Sequence, residues 1–126
     1  MRKVDIWTDG ACDPNPGPGG WGAVLTYNRH TKELSGGKTD TTNNEMELVA
    51  VHEALKALRE PCRVTVHSDS RLVIKWLTKE WQCNAYPELR DEILAMGHDL
   101  SFAWVKAHNG DRLNERADTL AKAAIP

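Results

Sequence analysis

A basic surplus is absent from this chain. Its 126 residues hold 16 Lys and Arg against 18 Asp and Glu, a formal net charge of -2. Proteins that bind polyanions usually show the opposite bias, so such a ligand has to be met by a local patch or by bound metal cations. Cysteine is scarce. Cys12, Cys62 and Cys83 make an odd number, and no pair has zinc-ligand spacing, which leaves reduced structural thiols as their reading. No apolar stretch approaches the roughly 20 residues that span a bilayer. Met1-Arg2-Lys3 runs into a strand-like segment without a signal-peptide core, so the expectation is a cytoplasmic monomer with no membrane partner. Internal repeats, low-complexity tracts and linkers are missing too, and residues 1–126 are read as a single domain able to bury a modest core.

What is present has an ordered set of periodicities. Residues 4–9 alternate as a strand, a Gly/Pro-rich turn follows over 13–20, and 21–27 alternate again with Trp21, Ala23, Leu25 and Tyr27 on one face. Residues 32–38 give a weaker third strand. Helical spacing covers 43–59, a short strand 64–67, helices 70–79 and 88–96, a strand 100–105 and a last helix 113–124. The order is βββαβααβα. It predicts an α/β fold: a mixed five-stranded sheet of three antiparallel strands, then two parallel to the first, flanked by helices. Ligands of such sheets gather beyond the carboxyl ends of the parallel strands.

The informative residues are acids placed where burial normally forbids them. At about 100° per residue, Val51, Ala54 and Leu58 fall within roughly 40° of Glu47. Glu47 therefore sits mid-face on an apolar stripe, whereas Glu45 and Lys56 point away. A carboxylate facing the sheet is costly unless it is paired or binds a metal. The competing reading is partial solvation in the first turn, where the helix dipole favours it; periodicity leaves both open. Asp9 and Asp69 end strands that should be parallel neighbours. Asp69 could instead be a helix N-cap, a role Ser70 could share. Asp118 borders the stripe of Leu113, Ala117, Leu120, Ala121 and Ala124, and taken singly reads as a solvated helix residue.

Convergence changes the reading. Two unit charges about 4 Å apart repel by roughly 4 kcal/mol at an effective dielectric near 20, so four clustered carboxylates demand cations. An all-oxygen set suits Mg²⁺, and a pair of such ions can clamp the oxygens of an in-line phosphoryl displacement. The expected chemistry is metal-assisted phosphodiester hydrolysis.

At this point the residues match a known pattern. Thr8-Asp9-Gly10-Ala11-Cys12 followed by Asn15-Pro16-Gly17-Pro18-Gly19-Gly20-Trp21-Gly22-Ala23 resembles the opening of type 1 ribonuclease H. Thr41-Thr42-Asn43-Asn44-Glu45-Met46-Glu47-Leu48 resembles its TNNxMEL helix start, and Ser68-Asp69-Ser70 its strand end. Trp104-Val105-Lys106-Ala107-His108-Asn109-Gly110 resembles its WVKGHxG loop, with Ala107 replacing glycine, and Asn114-Glu115-Arg116-Ala117-Asp118 its NERxD helix. The matches occur in order over nearly the whole chain.

The resemblance implies an endonuclease that cuts the RNA strand of an RNA–DNA hybrid, leaving 5′-phosphate and 3′-hydroxyl ends. It implies that Asp9, Glu47, Asp69 and Asp118 bind two Mg²⁺ ions, with Asp9 bridging and Mn²⁺ as a substitute. His108 corresponds to a loop histidine that assists proton transfer or product departure. Cys12, Asn15, Asn43 and Asn44 correspond to minor-groove contacts, partly through the 2′-hydroxyls that distinguish RNA from DNA. Thr42 corresponds to part of a pocket for a DNA-strand phosphate. For Asn43 and Asn44, helix capping is a compatible second role.

One departure stands out. Some members of that family carry a lysine-rich protrusion that grips the DNA strand. Here only Trp81-Gln82-Cys83-Asn84-Ala85 separates two helical segments, and Arg90 is the sole Lys or Arg from Glu80 to Asp99. Hybrid binding weaker than in members that carry the protrusion, and strongly salt-dependent, is expected, with affinity drawn from Arg71, Lys75 and Lys79 or from a partner. Trp76 and Trp81 are read as packing residues. Two other functions fit the fold: another nuclease or strand-transfer enzyme, and a hybrid-binding module without catalysis. The Asn-Pro-Gly and Asn-Asn segments oppose the first, and the complete acid set opposes the second.

Overall fold

The computed structural model describes residues 1–107 and 109–126; the expectation placed on His108 lies outside the described residues. The alternating runs form β1 (Arg2–Cys12), β2 (Gly17–Tyr27) and β3 (His30–Thr41), an antiparallel meander. There follow α1 (Asn43–Lys56), β4 (Cys62–Ser68), α2 (Arg71–Leu77), α3 (Pro87–Leu94), β5 (Asp99–Trp104) and α4 (Arg112–Ala123). The sheet order is β3-β2-β1-β4-β5, with β1 parallel to β4 and β4 parallel to β5. This is the mixed sheet that the crossovers predict. β1 is central, and its Val4 and Ile6 join Leu48, Val51 and Leu55 of α1 in the core, while α4 packs across the other face on β2 and β1.

The glycine run departs from expectation. Only residues 13–16 turn, and Gly17 to Gly20 already belong to β2. The reason is close packing: a Cβ at Gly20 would lie 2.2 Å from the Ala121 carbonyl oxygen, and one at Gly22 2.5 Å from that of Ala117. The glycines let α4 lie flat on the strand, so β3 finds a longer partner and extends to Thr41. The opposite face, with Trp21, Ala23, Leu25 and Tyr27, packs into the main core as expected. Three of the helices, α1, α2 and α3, are shorter than their periodicity suggests. Ala57 caps α1, short of residue 59. Ser70 caps α2 by accepting from the Val73 N–H at 3.2 Å, and Lys79 at φ 64 leaves the helical region. The three cysteines are free thiols.

His98 ties two elements that the site depends on. Its Nδ1 accepts from the Cys62 N–H at 3.0 Å, and its Nε2 donates to the Leu55 carbonyl at 3.2 Å. The ring is therefore neutral, with its proton on Nε2. His98→Ala removes both bonds and leaves a buried N–H unpaired, so a loss of about 1–3 kcal/mol is expected. A thermal melt indistinguishable from wild type would contradict the assignment.

Candidate active site

Gly10 sets the geometry at the end of β1. A Cβ there would lie 2.4 Å from the Glu47 nitrogen, so Gly10 faces the first turns of α1. Strand side chains alternate, which aims Asp9 at the opposite, α4 side. The parallel ladder ends at the pair Thr8 and Ser68, placing Asp9 and Asp69 side by side just beyond it; Asp9 does not end its strand as the alternation suggests, because β1 continues to Cys12 in antiparallel pairing with β2. Glu47 reaches the same place from α1, past a residue with no side chain in its way. One oxygen from each of Asp9, Glu47 and Asp69 lies within 4.8 Å of the others. Asp69 is not the cap of α2, since Ser70 fills that role. Asp118 enters from α4, lines the same cleft of about 740 Å³ and holds Lys122 at 3.1 Å.

The electrostatics are those of crowded acids. Asp9 is 4% exposed and Glu47 5%. Burial pushes the Asp9 carboxyl up to about 7; the charge of Asp69 and the contact and charge of Asp118 raise it further, while a hydrogen bond with Glu47 opposes them. Burial, then the charges of Asp9 and Asp69, push Glu47 well above the usual carboxylate range. Glu47 Oε2 is buried with no hydrogen-bond partner among the described residues. A buried carboxylate oxygen without a donor is costly, and a cation is the partner that such a site fits. The donor set is all oxygen, which suits a hard divalent ion.

Other residues singled out in the sequence surround this cluster. Cys12, Asn43 and Asn44 line the cleft. Asn15 stands on the adjoining turn, where its Oδ1 accepts from the Asn43 N–H at 3.1 Å. Capping of α1 belongs to Thr42, whose hydroxyl accepts from the Glu45 N–H at 3.1 Å and also meets the Tyr86 hydroxyl. This leaves the Asn43 and Asn44 side chains out of the capping role. Trp76 is a core residue, edge-on to Tyr86, but Trp81 is 51% exposed with the Lys75 ammonium 5.4 Å from its ring centroid. The packing role expected for Trp81 is therefore incorrect. Sequence reasoning also missed the contact of Trp104 with Arg71 and Asp69, which pairing across β4 and β5 creates. A second cavity, of about 450 Å³, opens at the far end of the sheet. Its one acid, Glu60, is paired with Arg2 at 2.9 Å, so it offers no comparable chemistry.

Known proteins resemble this chain over nearly its whole length. The RNase H family model matches residues 1–126. A ribonuclease H of Hahella chejuensis is 45% identical over 140 aligned positions, covering 99% of this chain and 95% of that protein. One of Erythrobacter litoralis is 46% identical, covering 98% and 96%. Alignments longer than this 126-residue chain mean that these relatives carry residues it lacks. Among solved structures, RNase H1 of Halobacterium salinarum superposes with a TM-score of 0.79 at 33% identity, covering 97% and 96%. LC11-RNase H1, solved in complex with an RNA/DNA hybrid, gives 0.78 at 29%, with the same coverage. The chain belongs to the RNase H family.

Proposed function

We propose that this chain hydrolyses the RNA strand of RNA–DNA hybrids, with 5′-phosphate and 3′-hydroxyl products. The observation that carries the reading is the meeting of Asp9, Glu47 and Asp69 within 4.8 Å around a buried, unpartnered Glu47 oxygen. Family membership supports the substrate class, as does the RNA/DNA hybrid with which LC11-RNase H1 was solved. Asp9, Glu47, Asp69 and Asp118 would hold two divalent cations, Mg²⁺ with Mn²⁺ as a substitute. Such ions supply charge neutralisation at the scissile phosphate and lower the pKa of an attacking water.

The protein's own groups do the rest. Asp9, whose carboxylate meets those of Glu47 and Asp69, would be a ligand to the cations. Asn43 and Asn44 on the cleft wall, with Cys12 and Asn15 at the neighbouring turn, face the minor groove and read 2′-hydroxyls. Thr42 with its Tyr86 partner serves the DNA-strand phosphate. His108 takes part in proton transfer or product departure. The whole of residues 1–126 acts as one nuclease domain, a cytoplasmic monomer; no described helix is long and apolar enough to cross a membrane.

The test is incubation with end-labelled hybrid, with and without Mg²⁺, beside Asp69→Asn. Cleavage confined to the RNA strand, dependent on the ion and reduced by about a hundredfold to a thousandfold in the variant, is expected. Equal cutting of duplex DNA would favour another nuclease on this fold, and binding without cutting a non-catalytic module.

A further inference from the structure

With no basic surplus in the chain, the question is which cation stands ready beside the cleft. Arg71 opens α2, two residues beyond Asp69. Its guanidinium lies 4.1 Å from the ring centroid of Trp104, the last residue of β5. Trp104 is 45% exposed, and its Nε1 donates to the backbone carbonyl of Asp69 at 3.2 Å. The ring is thus fixed by one edge to the backbone of a cluster acid and carries a cation on its face. Stacking occupies the face of a guanidinium and leaves its edge N–H donors free to bind. Arg71 has no ion pair among the described residues. Three of the lysines are engaged, Lys75 by Glu80 at 2.8 Å, Lys122 by Asp118 at 3.1 Å and Lys38 by Glu45 at 3.2 Å, and Arg71 differs from the remaining exposed lysines in being held on an aromatic ring.

We propose that Arg71, held on Trp104, binds a backbone phosphate of the RNA strand flanking the bond that is cut; this rests on the hybrid-cleaving reading above. Arg71 is then a binding residue and Trp104 a positioning residue. A planar fork of donors matches phosphate geometry. Because the stack is anchored to Asp69, the phosphate in reach belongs to the strand on which the acid cluster acts. One preorganised contact of this kind supplies locally the positive charge that the composition as a whole does not.

Steady-state cleavage of a labelled hybrid in Mg²⁺, over a range of monovalent salt, tests it. Arg71→Ala should raise KM about tenfold and flatten the dependence of log KM on log salt by about one unit, with kcat within about twofold. Arg71→Lys, which keeps the charge but not the planar fork of donors, should recover part of the loss. Trp104→Ala should reproduce the rise in KM, and the double variant should add nothing further. Trp104→Phe retains a ring and should keep KM near wild type while kcat falls, because the bond to the Asp69 carbonyl is gone. Lys56→Ala, which removes an exposed cation at the far end of α1, should change neither quantity. An uncharged linkage placed in turn at each phosphate flanking the cut should weaken wild type at one position and have no added effect in Arg71→Ala. An unchanged KM in Arg71→Ala, or a rise without a change in salt slope, overturns the proposal. If Trp104→Ala does not fold, Arg71→Ala and Trp104→Phe decide. A wild-type chain that cuts no hybrid fails the functional reading and this proposal together, whereas active enzyme with a normal Arg71→Ala profile fails this proposal alone.

Discussion

In metal-free buffer above neutral pH, Asp9→Asn melts about 5 °C or more above the wild-type chain, while its hybrid cleavage in Mg²⁺ falls by about a thousandfold. Both effects come from one charge. Unfolded, Asp9 titrates near 3.8; folded, burial and neighbouring acids move it to about 7. Between those values the native state holds a proton that the unfolded state has lost. The Asp9 contribution to the stability of the metal-free protein therefore falls as pH rises from about 4 to about 7 and is level beyond. A shift of that size corresponds to about 4 kcal/mol, and Glu47, moved in the same direction, adds to the slope. Asparagine removes the charge and keeps the carbonyl oxygen that accepts the Gly10 N–H at 3.0 Å. Cations act in the opposite sense: they displace the proton, so Mg²⁺ stabilises wild type and does so more strongly as pH rises. Calorimetry at several pH values, with and without Mg²⁺, reads all of this. A lower melting temperature for the metal-free variant would mean that the acids do not repel one another as their geometry requires.

The acids are legible through convergence rather than singly, since Asp118 by itself reads as a solvated helix residue. Glu47 occupies the apolar face of its helix, and Asp9 and Asp69 read as the ends of strands whose parallel pairing follows from the crossovers. Those are relations of spacing, which sequence records. The glycines from Gly17 to Gly22 were read only in part, since glycine marks a turn and a close helix approach equally well, and only α4 lying on β2 separates the two. Trp81 and Trp104 illustrate a different limit. Periodicity assigns a side chain to a face, but whether that face is covered depends on elements distant in the chain. Trp81 stands outside the core beside Lys75, and Trp104 meets Arg71 only because β5 pairs with β4. The cap of α2 belongs to the same class: Asp69 and Ser70 are equivalent by composition, and the path of the backbone gives the role to Ser70 and turns Asp69 toward the cleft.

Gly10→Ala joins fold and site in one substitution. The added methyl would lie 2.4 Å from the Glu47 nitrogen, 2.6 Å from the Met46 carbonyl carbon and 2.9 Å from the Met46 Cβ. Two of these are backbone atoms of a helix, which cannot rotate away as a side-chain end can. Relief requires α1 to lift from β1, and Glu47 moves with it. Overpacking of this kind usually costs about 1–3 kcal/mol; with backbone as the obstacle, about 3 kcal/mol is expected, a fall of roughly 10 °C in melting temperature. Mg²⁺ should then stabilise the variant less than wild type, because Glu47 no longer meets Asp9 and Asp69. Gly97→Ala is the control. Gly97 has φ 86 and no atom within 4 Å of its added Cβ, so its substitution bears only the left-handed backbone penalty of about 1–2 kcal/mol and leaves the Mg²⁺ response intact. If the two variants melted alike and responded alike to Mg²⁺, the glycine at the end of β1 would not be what lets the helix carboxylate reach the strand acids.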